Sequence, residues 1–341
     1  MREFWRWARL AGGAAIVVVL LWRLGTTPFL DGFRVIDGGT VLAAAGIGAL
    51  TTVASAWRWQ LVGRALGIRL PLGKAVADYY QALFLNAALP GGVLGDVGRA
   101  VGNGRETGDV GRGVRAVVLE RAAGQLALVA VAGAVLLTDP LSVLPQAPLG
   151  PVAAGAAAGV ALLLGLRHRA RRAGRATRWG RAWDTATGDV RRALLGPRTG
   201  PGVLLASLVV LAGHVATFVV AARAAGSTAG VTRLAPLALL ALLAMAIPLN
   251  VGGWGPREGV TAWAFAAAGL GAGLGLTVAV VYGLLALVAS LPGAAVLAAR
   301  AVARRRPAPV ARPATALVEH LRPPVLAYAG VSAGMNRSDR A

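Results

Sequence analysis

The chain has 341 residues, 56% apolar and only 14% charged, with a mean hydropathy of +0.65, proportions that do not suit a water-soluble surface and predict burial in lipid or against other helices. Its formal net charge of +21 would fit nucleic-acid binding if charge were read alone. The arginines, however, concentrate at the N-terminus, between Arg167 and Arg198 and after Arg300, each beside an apolar segment, which excludes nucleic acid as the expected partner and points to anionic lipid head groups.

The apolar run Ala14–Leu21 follows Arg2, Arg6 and Arg9 as in a secretory signal, but Trp22, Arg23 and Pro28 stand where a small-residue cleavage site is needed. An uncleaved first span is expected. Windows of about 20 apolar residues, the length that crosses a hydrocarbon core, fall near 9–24, 39–57, 114–137, 149–166, 202–222 and 276–298. Two further stretches, near 75–90 and 234–249, run into Pro-Gly-Gly or Pro-x-x-x-Gly-Gly and read as broken or re-entrant helices, a form tolerated at membrane depth only where protein or a wet cavity satisfies the backbone. The expected fold is all-α, a polytopic membrane helix bundle. The short loop after Asp139 has no Lys or Arg, whereas 167–200 holds ten arginines, so that loop and both termini are expected on the cytoplasmic side of a cell membrane. Residues 1–300 form the expected membrane domain, and 301–341 a basic, Pro-containing tail expected to be disordered.

The first glycine motif reads Leu89-Pro90-Gly91-Gly92-Val93-Leu94-Gly95-Asp96-Val97-Gly98-Arg99, the second Ile247-Pro248-Leu249-Asn250-Val251-Gly252-Gly253-Trp254-Gly255-Pro256-Arg257-Glu258. Each joins a helix-ending proline, a Gly-Gly pair free to take positive φ, and an acid and an arginine opening the next helix. The motifs stand at closely similar places within 39–137 and 202–298, so these segments are candidate halves of an inverted repeat, which places a site near the bilayer midplane. Such loops bind anions: N–H groups at a helix N-terminus accept a phosphate at close range, and Arg99 and Arg257 add bidentate guanidinium groups. The competing reading makes Asp96 an N-cap, Pro256 a first-turn proline, Glu258 a dipole-matched acid and both arginines interfacial.

Glu120 and Arg121 lie inside a span, where ionised groups are costly and turn to the bundle interior; Gln125 shares the Arg121 face. Asp78, Tyr79, Tyr80, Gln81 and Asn86 speckle the first broken helix, and His214 stands alone in a span as a helix–helix hydrogen-bonding group. No cysteine is present and His168, His214 and His320 are scattered, so no disulfide framework, thiolate nucleophile or metal cluster is expected. No cofactor is expected either: no Walker-type phosphate loop is present, and Gly102-x-Gly104-x-x-x-Gly108 lacks dinucleotide spacing.

The run Phe84-Leu85-Asn86 through Leu89-Pro90-Gly91-Gly92, Gly95-Asp96 and Arg99, with Leu119-Glu120-Arg121, Gly124, Gly252-Gly253, Gly255 and Arg257-Glu258, resembles the lysylphosphatidylglycerol synthase transmembrane region family, the flippase-like module of bacterial multiple peptide resistance factors. The resemblance covers roughly residues 10–300. It implies movement of an anionic phospholipid or polyprenyl-phosphate lipid between leaflets, with two re-entrant elements at the centre and Gly91, Gly92, Asp96, Arg99, Glu120, Arg121, Gly252, Gly253, Arg257 and Glu258 about the site. Many relatives carry Asp at the Glu120 position, and the resistance factors carry an aminoacyl-transfer domain after this region, so lysyl transfer by this chain is not expected. A transporter rather than an enzyme is expected. The alternatives are a membrane-embedded transferase on a lipid phosphate, with Asp96, Glu258 or His214 as base, and a non-catalytic partner presenting lipid to a separate enzyme.

Overall fold

The computed structural model describes residues 18–19, 21–89, 92–138, 165, 168–169, 177–246 and 255–305. Most of the spans expected near 9–24 and 149–166, the tail beyond 305, and Gly91, Gly252 and Gly253 lie outside these residues. The chain divides into two compact units, Met1–Ala299 and Arg300–Ala341; the architecture below is that of the first.

Among the described residues all regular structure is helical. A short α1 (Thr27–Arg34), started by Pro28, precedes α2 (Gly38–Ala65), whose N-terminus is capped by Asp37 accepting from the Thr40 N–H at 2.7 Å. Then come α3 (Leu72–Ala88), α4 (Leu94–Glu106) and α5 (Val110–Thr138). Within the arginine-rich segment lies α6 (Arg178–Ala193), an amphipathic helix that the sequence reading left as loop. The second set is α7 (Gly200–Ala224), α8 (Val231–Met245), α9 (Pro256–Ala267) and α10 (Ala272–Ser290), followed by α11 (Pro292–Arg305).

Helix ends follow from local chemistry. α2 and α7 each stop at a glycine with positive φ, Gly67 and Gly226, and the next N–H bonds back to a carbonyl of the last turn, Ile68 to Gly63 and Ser227 to Ala222. α4 and α9 end alike, with Gly108 and Gly269 in the positive-φ region and Asp109 and Leu270 bonding back to Gly104 and Phe265. Among the described residues, four helical stretches are long and apolar enough to cross a membrane: Gly38–Ala65, Val110–Val135, Gly200–Ala224 and Ala272–Ala303. α8 is apolar but short. The stretches expected to break do break, α3 stopping at Ala88 before α4 and α8 at Met245 before α9.

Burial separates two main cores. Trp59, Val62, Tyr79, Ala100 and Ala116 pack among α2–α5, whereas Phe218, Leu237, Phe265, Val278 and Leu285 pack among α7–α10. α2 lies along α7 and also meets α10. Exposed Leu42, Leu50, Val118, Leu126, Leu204 and Leu205 cover the outer faces of α2, α5 and α7, the pattern of helices that shed lipid-facing apolar surface rather than bury it.

Candidate functional site

Glu120, nearly three turns into α5, is fully buried and collects cations from two other helices. Its Oε1 accepts from Arg58 Nε at 3.0 Å and Nη2 at 2.5 Å, and from the Tyr79 hydroxyl at 3.3 Å; its Oε2 accepts from Arg99 Nη2 at 2.7 Å. Arg58 Nη1 also donates to Ser207 Oγ on α7 at 3.2 Å, which ties the two cores together through one guanidinium. Arg99 continues the chain, with Nε donating to Asp96 Oδ1 at 2.8 Å and its plane lying over both Trp59 and Tyr79. Asp96 Oδ2 accepts from Asn86 Nδ2 at 3.0 Å and from Arg121 Nη2, and Asn86 Oδ1 accepts the Gly95 N–H at 2.8 Å. Burying two carboxylates is tolerable because every one of them is shared between arginines.

Two expectations change here. Asp96 is not the N-cap of α4: Val93 holds that position, and Asp96 sits in the first turn as an acceptor for Arg99 and Arg121. Arg99 is not at an interface, nor does it face open space; it is held between Glu120 and Asp96. Gly95 explains the close docking of α4 on α3, since any side chain there would collide with the backbone of Ala82.

At the second motif Gly255 takes φ +125°, a value few L residues adopt, and Pro256 opens α9 as expected. Glu258, fully buried, accepts the Gly255 N–H at 2.7 Å and also binds the Arg257 guanidinium. Arg257 lies over the Tyr282 ring and against Gly283 of α10, where a side chain would meet its Nη2. Tyr282 in turn meets His214 Nδ1 of α7 at 3.0 Å, the helix–helix hydrogen bond expected of His214.

Between these clusters lies a cavity with two lobes of about 310 and 320 Å³ that share Thr51, Leu83, Arg121, His214 and Tyr282. The first lobe adds Arg58, Tyr79, Gln125 and Ser207; the second adds Asn86, Gly92, Thr217 and Arg257. Arg121 touches Asp96 with one edge while its side chain remains 46% exposed. Gly92, Arg121 and Arg257 of the expected site thus line this space, while Asp96, Arg99, Glu120 and Glu258 sit in the buried ion pairs. Asp78 lies apart and pairs with Lys74 at 2.7 Å. Among the described residues no group of His, Asp and Glu side chains is arranged to hold a metal ion.

Sequence reading missed Arg58, Ser207 and Tyr282. For Arg58 the signal was present: α2 runs on to Ala65, so Arg58 sits two turns from the helix end, whereas a span closed at 57 turns it into an ordinary flanking arginine. Ser207 and Tyr282 carry no such signal, being single polar groups in apolar helices.

No curated protein and no solved structure gives a match to the chain. A family model does, described as the lysylphosphatidylglycerol synthase TM region, over residues 6–293. With that match extending over most of its length and several helices of membrane-crossing length, the chain is a multi-pass membrane protein that belongs to the lysylphosphatidylglycerol synthase transmembrane region family.

Proposed function

We propose that the two-lobed cavity binds the phosphate of an anionic lipid and that the chain moves this lipid between leaflets. The observation that carries the reading is that Arg121 of α5 and Arg257 of α9, one from each set of helices, both line one lobe of this cavity. A guanidinium presents a planar fork to phosphate oxygens, and Thr51, Thr52 and Thr217 add hydroxyls. Asp96 and Glu258 are each engaged by arginine, which argues against a transferase that uses either acid as a free base and leaves that reading only His214.

The helix succession supports an inverted repeat with a central site. α2, α3, α4 and α5 match α7, α8, α9 and α10 in order, the third helix of each set being short and starting after a glycine-rich break. Asp96 and Glu258 occupy the same third position of those short helices, and Glu120 and Tyr282 the same position of the helices that follow. We place both termini and 167–200 in the cytoplasm, on arginine asymmetry.

Reconstitution into liposomes with leaflet-specific labelling of an anionic phospholipid tests the reading. The wild-type chain is expected to equilibrate the label across leaflets, and Arg257→Lys to slow it about tenfold or more at equal protein density and unchanged thermal stability, because an ammonium cannot reproduce the fork. Wild-type rates in Arg257→Lys would remove the phosphate from this arginine.

A further inference from the structure

The second lobe of the cavity does not end inside the bundle. On α10 it meets Tyr282 and Leu285, which are buried, and also Ala286 and Leu287, which are exposed, Leu287 by 39%. An enclosed space meets one face of a helix, so this lobe runs past α10 to its outer side. Leu287 stands at the middle of the membrane-crossing stretch Ala272–Ala303, where the surroundings are hydrocarbon and not water. Arg257 lines the same lobe and rests against Gly283, one turn before Leu287, or about 6 Å along the helix axis. One slot therefore has a cationic inner end and an apolar mouth.

Two helices form the mouth. From α3, Leu83, Asn86 and Ala87 line the lobe at the spacing of one helix face, and from α10 Gly283, Ala286, Leu287 and Ser290 do the same. Ala87, Gly283 and Ala286 are small, which leaves width between the two faces for an alkyl chain. Close approaches bound the slot on either side: Gly48 of α2 packs on Ala289, and Gly293 at the start of α11 packs on Tyr80 and Phe84 of α3, both places where a side chain would collide. Such small-residue contacts hold neighbouring helices together within a membrane, so the gap between α3 and α10 is framed by tight packing on both flanks.

We propose that the second lobe is a passage for an acyl chain: the phosphate of the lipid lies at Arg121 and Arg257 while one of its chains leaves the bundle between α3 and α10 and stays in hydrocarbon. This rests on the phosphate reading of the cavity given above. The occupant is an amphiphile and not a free phosphate, because a soluble anion satisfies the arginines but leaves the apolar mouth at Leu83, Ala87, Ala286 and Leu287 uncovered, whereas an alkyl chain covers it. A chain that remains in hydrocarbon also avoids transfer into a polar space, a cost that grows with every methylene moved.

The test is photo-crosslinking of the full wild-type chain in nanodiscs, with adducts mapped by mass spectrometry. Phosphatidylglycerol carrying a diazirine at the middle of one acyl chain is expected to mark Ala44 or Gly48, which line the lobe and are buried from bulk lipid. The same lipid with the diazirine on its headgroup is expected to mark Arg121 or Arg257. Headgroup adducts in the cavity with chain adducts confined to exposed residues such as Leu42 and Leu204 overturn the passage and leave the phosphate reading standing. Absence of both sets from the cavity overturns the phosphate reading and this proposal with it. In liposomes, Ala286→Trp, checked for unchanged thermal stability, is expected to fill the mouth and slow lipid movement about tenfold or more. Leu204→Trp, on the outer face of α7, is expected to leave the rate unchanged. Wild-type rates in Ala286→Trp would overturn the passage as well.

Discussion

Glu120 is the residue on which the buried charge depends, because its two oxygens hold Arg58 and Arg99 at once. Glu120→Gln leaves two guanidinium groups facing a neutral amide and is expected to cost about 3–5 kcal/mol, the usual penalty for removing one partner of a buried ion pair, read as a drop in thermal midpoint and in purified yield. Glu120→Asp keeps the charge and is expected to recover much of that loss. A Glu120→Gln protein as stable as wild type would show that the arginines are answered elsewhere. Arg121 differs from this group in pairing with Asp96 while its side chain stays 46% exposed on the cavity wall, so Arg121→Gln is expected to reduce lipid movement with little effect on stability. At this scale the sequence disclosed that Glu120 and Arg121 face inward, since charge within a span has few other places to go. It did not disclose that adjacent residues divide the work, one buried in the scaffold and one on the cavity wall, because that depends on where α4 docks.

The helices α2 and α5 start at carboxylates that lie outside the apolar spans, and this gives a pH dependence. Hydrogen bonding from Thr40 holds the Asp37 carboxyl below its ordinary value, and the Arg112 backbone N–H does the same for Asp109. A lowered carboxylate value contributes stability that is present above the ordinary value near 4 and is lost as pH falls through the lowered one. Asp37→Ala and Asp109→Ala are therefore expected to lower the thermal midpoint at pH 7, with the gap to wild type closing below about pH 3. A gap that is constant with pH would mean the side chains act other than as ionised caps. Gly95 belongs to the same scale: Gly95→Ala pushes a methyl into the Ala82 backbone and is expected to destabilise by about 1–3 kcal/mol through overpacking. The two glycine motifs were legible as helix breaks because proline ends a helix and Gly-Gly does not resume one. α6 was not legible, since its many arginines read as a solvated loop while Asp189, tied to Arg115 at 2.9 Å, and the buried Ala193 hold it against the bundle.

For the whole molecule, the proposed halves are two four-helix sets that meet where α2 packs along α7, and orientation is the property to test first. Cysteines introduced at Ser142 and Thr187 report the two sides of the membrane in a chain that has none of its own. Thr187→Cys is expected to resist an impermeant thiol reagent in intact cells and Ser142→Cys to react; the reverse pattern would invert the topology. The spacing of the motifs suggested the repeat, but the convergence of both arginines on a single cavity arises only when α9 packs on α10 and α10 on α2. The measurement that tests this most directly is an experimental map of the chain in nanodiscs rich in anionic phospholipid. We expect phosphate density in the cavity within hydrogen-bonding distance of both Arg121 and Arg257; lipid phosphates confined to the bilayer surface, with the cavity empty or filled by water alone, would contradict the account.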